Sequence, residues 1–144
     1  MVQVIRRLVK VGEEQQTLIG IEPGLNHPLY SLERVAQLIQ QIDSDYLGII
    51  LDPTNLITSE TYQNQVALVQ EAFERFGEKI VAVHLKDYQV QKDQIVPVNL
   101  GTGLIDYPAI CRLIAKEKPG LFVVLEETKD QAIHKAVQLI EQVL

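Results

Sequence analysis

Four apolar runs in this chain end on side chains that could ligate a metal or move a proton. Leu18–Ile21 leads into Glu22, Tyr46–Leu51 into Asp52, Val81–Val83 into His84 and Leu121–Leu125 into Glu126. Together they form a mixed oxygen–nitrogen set. It suits Mn²⁺, Mg²⁺, Co²⁺ or Zn²⁺, and no thiolate narrows the choice. One such ion would hold a substrate's adjacent hydroxyl and carbonyl oxygens and stabilise an enediolate as a Lewis acid. Carboxylates flanking that substrate would move a proton on and off carbon. Taken singly, each residue has an ordinary explanation: an acid after a strand caps a helix or faces solvent, and a lone histidine packs in a core. Their shared position makes a joint divalent-metal site the better reading.

The four residues are spaced 30, 32 and 42 apart. A (β/α)₈ barrel of ~250 residues spends about 31 residues on each strand–helix unit, and it builds its active site at the carboxyl ends of the strands. The first two gaps match that repeat, and the third is longer because a polar loop follows His84. The apolar runs predict buried parallel strands near 17–22, 47–52, 80–85 and 121–126, with both faces covered. Helical spacing predicts a first helix within residues 2–14, ending near Gly12. Ser31 is the expected cap of a helix to about Gln41, and Thr58 or Ser59 that of a helix to Phe76, closed by Gly77. Residues 87–103 read as a long loop with a small hairpin near 90–98. Asp106 should cap the next helix, with Pro108 in its first turn. Thr128 should cap the last, whose expected buried stripe is Ile133, Ala136, Val137, Ile140 and Val143. The expected fold class is α/β, a half-barrel of four parallel strands, with residues 1–144 as a single domain.

At 144 residues the chain can bury a real core but is shorter than the ~200 residues a whole barrel needs. Apolar residues make up 47%, too many for a disordered chain. No run approaches the ~20 residues of a membrane span, and no charged-then-apolar leader opens the sequence. A net charge of −6 argues against a nucleic-acid partner. Cys111 is the one cysteine and reads as a small core residue of a helix. These features lead us to expect a soluble, cytoplasmic protein.

Lys86 and Asp87 either reach the substrate or only begin the loop after His84. Asn26, His27 and Asn55 sit where a sugar-binding loop would lie. Gly101-Thr-Gly103 could offer backbone amides to a phosphate, although a tight turn before the next helix is the simpler reading. Strand alternation sends Glu127 to the face opposite Glu126, which favours Glu126 as the ligand. His134 lies mid-helix and reads as a surface residue.

Ile21-Glu-Pro23, Leu51-Asp-Pro-Thr-Asn55, Val83-His-Leu-Lys-Asp87, Leu100-Gly-Thr-Gly-Leu-Ile-Asp106 and Val124-Leu-Glu126 occur in this order. The series resembles the xylose isomerase-like TIM barrel superfamily, the sugar phosphate isomerase/epimerase group. The likeness covers nearly the whole chain and corresponds to the carboxyl-terminal half of that barrel, strands five to eight. It implies one divalent metal held by Glu22, Asp52, His84 and Glu126. It also implies Glu22 and Glu126 as the acid/base pair of an isomerase or epimerase. Asn26, His27, Asn55 and Lys86 are then the candidate substrate contacts. The chain departs from the family at several points. Asn55 stands near where many relatives have a histidine, Lys86 is the nearest base where they often have an arginine, and strands one to four are absent.

The expected function is therefore a metal-dependent sugar or sugar-phosphate isomerase or epimerase. A dehydratase on the same scaffold and a non-catalytic half-barrel needing a partner chain are the alternatives. A DNA-repair endonuclease of the same superfamily is disfavoured, since the chain has only His27, His84 and His134. The expected partners are a small sugar or sugar phosphate, no nucleic acid and no membrane. A half-barrel leaves an apolar sheet face open, so a homodimer or a complementing amino-terminal half is also expected.

Overall fold

The computed structural model describes residues 1–143. The sheet is parallel, with strand order β1 (Ile19–Ile21), β2 (Leu47–Leu51), β3 (Ile80–Leu85), β6 (Phe122–Leu125). Helices α1 (Val2–Gln15), α2 (Leu32–Gln41), α3 (Gln65–Phe76), α4 (Tyr107–Glu117) and α5 (Ala132–Glu141) alternate with these strands. An antiparallel hairpin, β4 (Asp87–Gln91) and β5 (Gln94–Val98), is inserted after β3. This is half of a (β/α)₈ barrel. No helix among the described residues is long and apolar enough to cross a membrane.

Local chemistry accounts for most element ends. The Ser31 hydroxyl accepts the Arg34 N–H at 3.3 Å, and the Asp106 carboxylate accepts that of Ala109 at 3.0 Å, so both expected caps are present. Lys92 and Asp93, at φ 48° and 62°, form the hairpin turn, and pairing begins at Asp87 rather than near residue 90. Three expectations need correction. Helix α1 passes Gly12 and ends on left-handed Gln16, with the Thr17 N–H donating to the Gly12 carbonyl at 2.8 Å. Neither Thr58 nor Ser59 opens α3; Thr58 and Thr61 close a turn, and a 3₁₀ turn precedes Gln65. Thr128 does not cap α5; its hydroxyl accepts the Leu100 N–H at 3.2 Å and ties β6 to the exit of the hairpin.

The core lies between sheet and helices. Leu47, Ile49, Leu51, Ile80, Val83 and Leu85 are completely buried against Val35, Leu38, Val69, Ala72, Ile110 and Cys111. The opposite sheet face would line a closed barrel, and here it is open: Phe122 is 77% exposed and Val124 43%. The expectation that both strand faces are covered therefore holds only on the helix side. The stripe of α5 is likewise half-covered, with Ala136 and Ile140 buried but Ile133 and Val137 exposed.

A register shift between β2 and β3 sets the direction of His84. Ile49 pairs with Ile80 but Ile50 pairs with Ala82, so β3 carries one extra residue. Counting by twos from buried Ile80 would send His84 into the helix layer. The bulge instead keeps Val83 and Leu85 in the core and turns His84 to the inner face.

Candidate metal centre

Each parallel strand ends beside its neighbour, so side chains that follow the strands converge. Glu22, Asp52, His84 and Glu126 each offer one ligand atom, and these atoms all lie within 4.8 Å of one another. Asp52 is held at the first turn after β2, where its carboxylate accepts the Thr54 N–H at 2.8 Å. Glu22 accepts from the Asn55 side-chain amide at 2.8 Å, which orients it. His84 Nδ1 lies 3.5 Å from a Glu22 oxygen and 3.8 Å from a Glu126 oxygen.

Lys86 completes the cluster. Its ammonium sits 2.7 Å from Glu126 Oε2 and 3.1 Å from Asp52 Oδ2, and it donates to Asn55 Oδ1 at 3.1 Å. The two carboxylate contacts are ion pairs by distance but lack hydrogen-bond angles, so Asp52 Oδ2 and Glu126 Oε2, like His84 Nδ1, are buried atoms without a hydrogen bond. Asp52 Oδ2 and Glu126 Oε2 are already paired with an ammonium, and His84 Nδ1 is the buried atom left without such a partner, where a cation or a water would satisfy it. The oxygen–nitrogen donor set fits a hard or borderline divalent cation.

Burial and charge act in opposite directions on the two carboxylates. Burial pushes the Asp52 carboxyl up to about 6 despite nearby Lys86, whereas the close contact with the Lys86 ammonium pulls the more open Glu126 below its ordinary range. Burial disfavours the charge on Lys86, yet its Glu126 and Asp52 partners outweigh that and hold the ammonium above its usual value. Lys86 is therefore the cation that balances the acidic cluster.

The other expected contacts divide. Asn26, Asn55 and Lys86 line a cavity of about 530 Å³, together with Thr58 and the hairpin residues Asp93 and Gln94. Exposed His27 does not line that cavity, and its N–H closes a turn on the Gly24 carbonyl at 2.8 Å. Asn55 reaches Glu22 and Lys86, so it positions both. Asp87 turns away from the cluster; it is 1% exposed and organises the loop that follows the hairpin. A larger groove between α2 and α3, lined by Tyr30, Leu68 and Arg75, contains none of the four ligands.

The role of Asp87 is not evident from the sequence, although Gly101-Thr-Gly103 is the available signal. The Gly101, Thr102 and Gly103 N–H groups donate to its Oδ2 at 2.9, 3.1 and 2.8 Å, and those of Tyr88 and Ile105 donate to its Oδ1 at 2.8 and 3.0 Å. A Cβ at Gly103 would overlap this carboxylate. Buried Gln65 extends the arrangement by donating to the Leu104 carbonyl and accepting the Asp106 N–H.

Comparison with known proteins agrees with this architecture. Over 129 residues the chain is 29% identical to the 3-oxo-isoapionate decarboxylase of Pectobacterium atrosepticum, covering 85% of this chain and 44% of that protein. A xylose isomerase domain protein of Planctomyces limnophilus superposes with a TM-score of 0.78 at 21% identity, over 99% of this chain and 50% of that one. A xylose isomerase-like TIM barrel protein of Mycobacterium smegmatis, solved in complex with magnesium, gives 0.71 at 18% identity, over 99% and 48%. The chain thus spans about half the length of these proteins. Residues 1–143 match the family model of the xylose isomerase-like TIM barrel, and the chain belongs to that family.

Proposed function

We propose that this chain carries the metal-binding half of a sugar or sugar-phosphate isomerase or epimerase. The observation behind this reading is the convergence of Glu22 and Glu126, from opposite edges of the sheet, on His84 and Asp52. Glu22, Asp52, His84 and Glu126 would hold one divalent ion, which supplies a Lewis acid for a substrate's adjacent oxygens. Glu22 and Glu126 reach the reacting carbon from two sides, one taking a proton next to the carbonyl and the other returning it. Asn55 orients Glu22, and Lys86 moves from carboxylate partner to substrate donor. The cavity beside Lys86 and Asn55 receives the rest of the substrate, with Asn26 at its rim and His27 beyond it. Cys111, the one cysteine, is buried and can form no internal disulfide, which is compatible with the cytoplasmic setting proposed for the chain.

The likeness to a 3-oxo-isoapionate decarboxylase favours a second reading. Loss of carbon dioxide from a 3-oxo acid leaves an electron pair next to a carbonyl, which the same residues could stabilise and protonate. In either case the open face is closed by a second copy or by a separate amino-terminal half. Eight strands take eight helices. Two copies of this five-helix chain would bring one surplus helix to each seam, so the complementary half fits better.

Metal analysis and turnover in deuterated water test this proposal. Metal should be lost in both His84→Ala and Asp52→Ala, and the product should carry solvent deuterium at the reacting carbon. Carbon dioxide release would select the decarboxylase. Metal retained by both variants would overturn the ligand set.

A further inference from the structure

We infer that Lys86 and the divalent ion compete for the same oxygen of Asp52, so that metal loading frees Lys86 to face the substrate cavity. The inference rests on the four-ligand reading above and adds the order in which the site is assembled. Asp52 has two carboxylate oxygens, and Oδ1 already accepts the Thr54 N–H at 2.8 Å. The oxygen left for a metal is Oδ2, which lies 3.1 Å from the Lys86 ammonium. Glu126 is divided in a similar way. Its Oε1 lies 3.8 Å from His84 Nδ1, on the side of the other ligands, and its Oε2 lies 2.7 Å from Lys86. Two cations drawn to one carboxylate repel each other. The Lys86 and Asp52 side chains are 12% and 0% exposed, so little water screens that repulsion.

Lys86 is the cation that has somewhere else to go. An ammonium has three donors, and Asp52 Oδ2, Glu126 Oε2 and Asn55 Oδ1 all lie within 3.1 Å of this one. A lysine so engaged has no N–H left for a substrate. Its main chain is fixed, because the Thr54 hydroxyl donates to the Lys86 carbonyl at 2.7 Å, so the side chain alone can move. Asn55 marks the direction. Its amide nitrogen is held on Glu22 at 2.8 Å, and its oxygen, still available to Lys86, belongs to a residue lining the cavity of about 530 Å³. Among the described residues Lys86 is the one cation lining that cavity. Without metal the cavity meets a neutralised lysine, and with metal it gains a free one. The site therefore takes metal first and an oxygen-rich substrate second.

The test uses Zn²⁺ as the probe, with His84→Ala as the blank for binding elsewhere. In the metal-free chain with isotope-labelled lysine, the Lys86 ammonium should give its own resonance, because ion pairing slows its exchange with water. Saturating Zn²⁺ should shift and broaden that resonance. The Lys118 ammonium, held by the Gly77, Glu78 and Ile80 carbonyls at 3.2, 2.9 and 2.7 Å, should stay unchanged as the internal control. By calorimetry, Lys86→Met should bind Zn²⁺ at least about tenfold more tightly than wild type. Lys129→Met, which removes an exposed charge from the loop after β6, should bind as wild type does. A Lys86 resonance unmoved by bound Zn²⁺, or missing before it is added, would overturn the inference and leave the ligand set standing. So would a Lys86→Met affinity equal to or below that of wild type. No binding above the blank in either chain would overturn the ligand set and the inference together. If Lys86→Met does not fold, the wild-type resonance, assigned through its own side chain, decides.

Discussion

Replacing Asp52 with asparagine separates what the candidate centre does for stability from what it does for metal. The Asp52 side chain is fully buried, and burial raises its carboxyl from 3.8 to about 6. The folded chain therefore holds this proton more tightly than the unfolded chain does. Stability from this group is complete below pH ~4 and is lost as pH rises through about 6. The difference corresponds to about 3 kcal/mol of penalty on the charged form at neutral pH. Asparagine resembles the neutral carboxyl in shape and keeps an oxygen for the Thr54 N–H. With chelator present, Asp52→Asn should match wild type near pH ~4 and exceed it by up to about 3 kcal/mol near pH ~7.5. At a urea slope of about 1–3 kcal/mol/M, the unfolding midpoint should rise by roughly 1 M or more. Adding a divalent cation should reverse the order, stabilising wild type and leaving the variant unchanged. A variant less stable than wild type at neutral pH without metal, or an equal difference at both pH values, would refute the reasoning.

Lys86→Met leaves buried Asp52 without its cation; the carboxyl then takes up a proton, so the metal-free chain should lose about 1–2 kcal/mol near pH ~7. A divalent metal should restore much of that loss, and urea unfolding with and without chelator checks both effects. The open sheet face, with Phe122 at 77% and Val124 at 43% exposure, should make the isolated chain self-associate. Sedimentation at micromolar concentration checks this, and a cooperative monomer would refute it.

Part of this protein is legible in its sequence because the relevant information is local. Parallel strands buried in a sheet are short apolar runs, and the first polar residue after each lies at the strand's end. That rule alone groups Glu22, Asp52, His84 and Glu126, and their ligand atoms do converge. Ser31 and Asp106 are legible as caps because a cap bonds within its own first turn. What stays hidden depends on contacts between distant segments. The extra residue in β3 exists only relative to β2, so no periodicity within β3 shows that His84 faces inward. Sequence leaves Lys86 between substrate contact and loop residue because its partners, Asp52 and Glu126, stand 34 and 40 positions away. In the sequence Asp87 resembles the start of a loop, and Gly101-Thr-Gly103 a turn or a phosphate cradle. Only when the hairpin brings them together does the carboxylate meet those amides. Sequence determined which residues stand at the strand ends; tertiary structure decided which way they point and which charges they meet, because orientation and pairing arise between strands rather than along them.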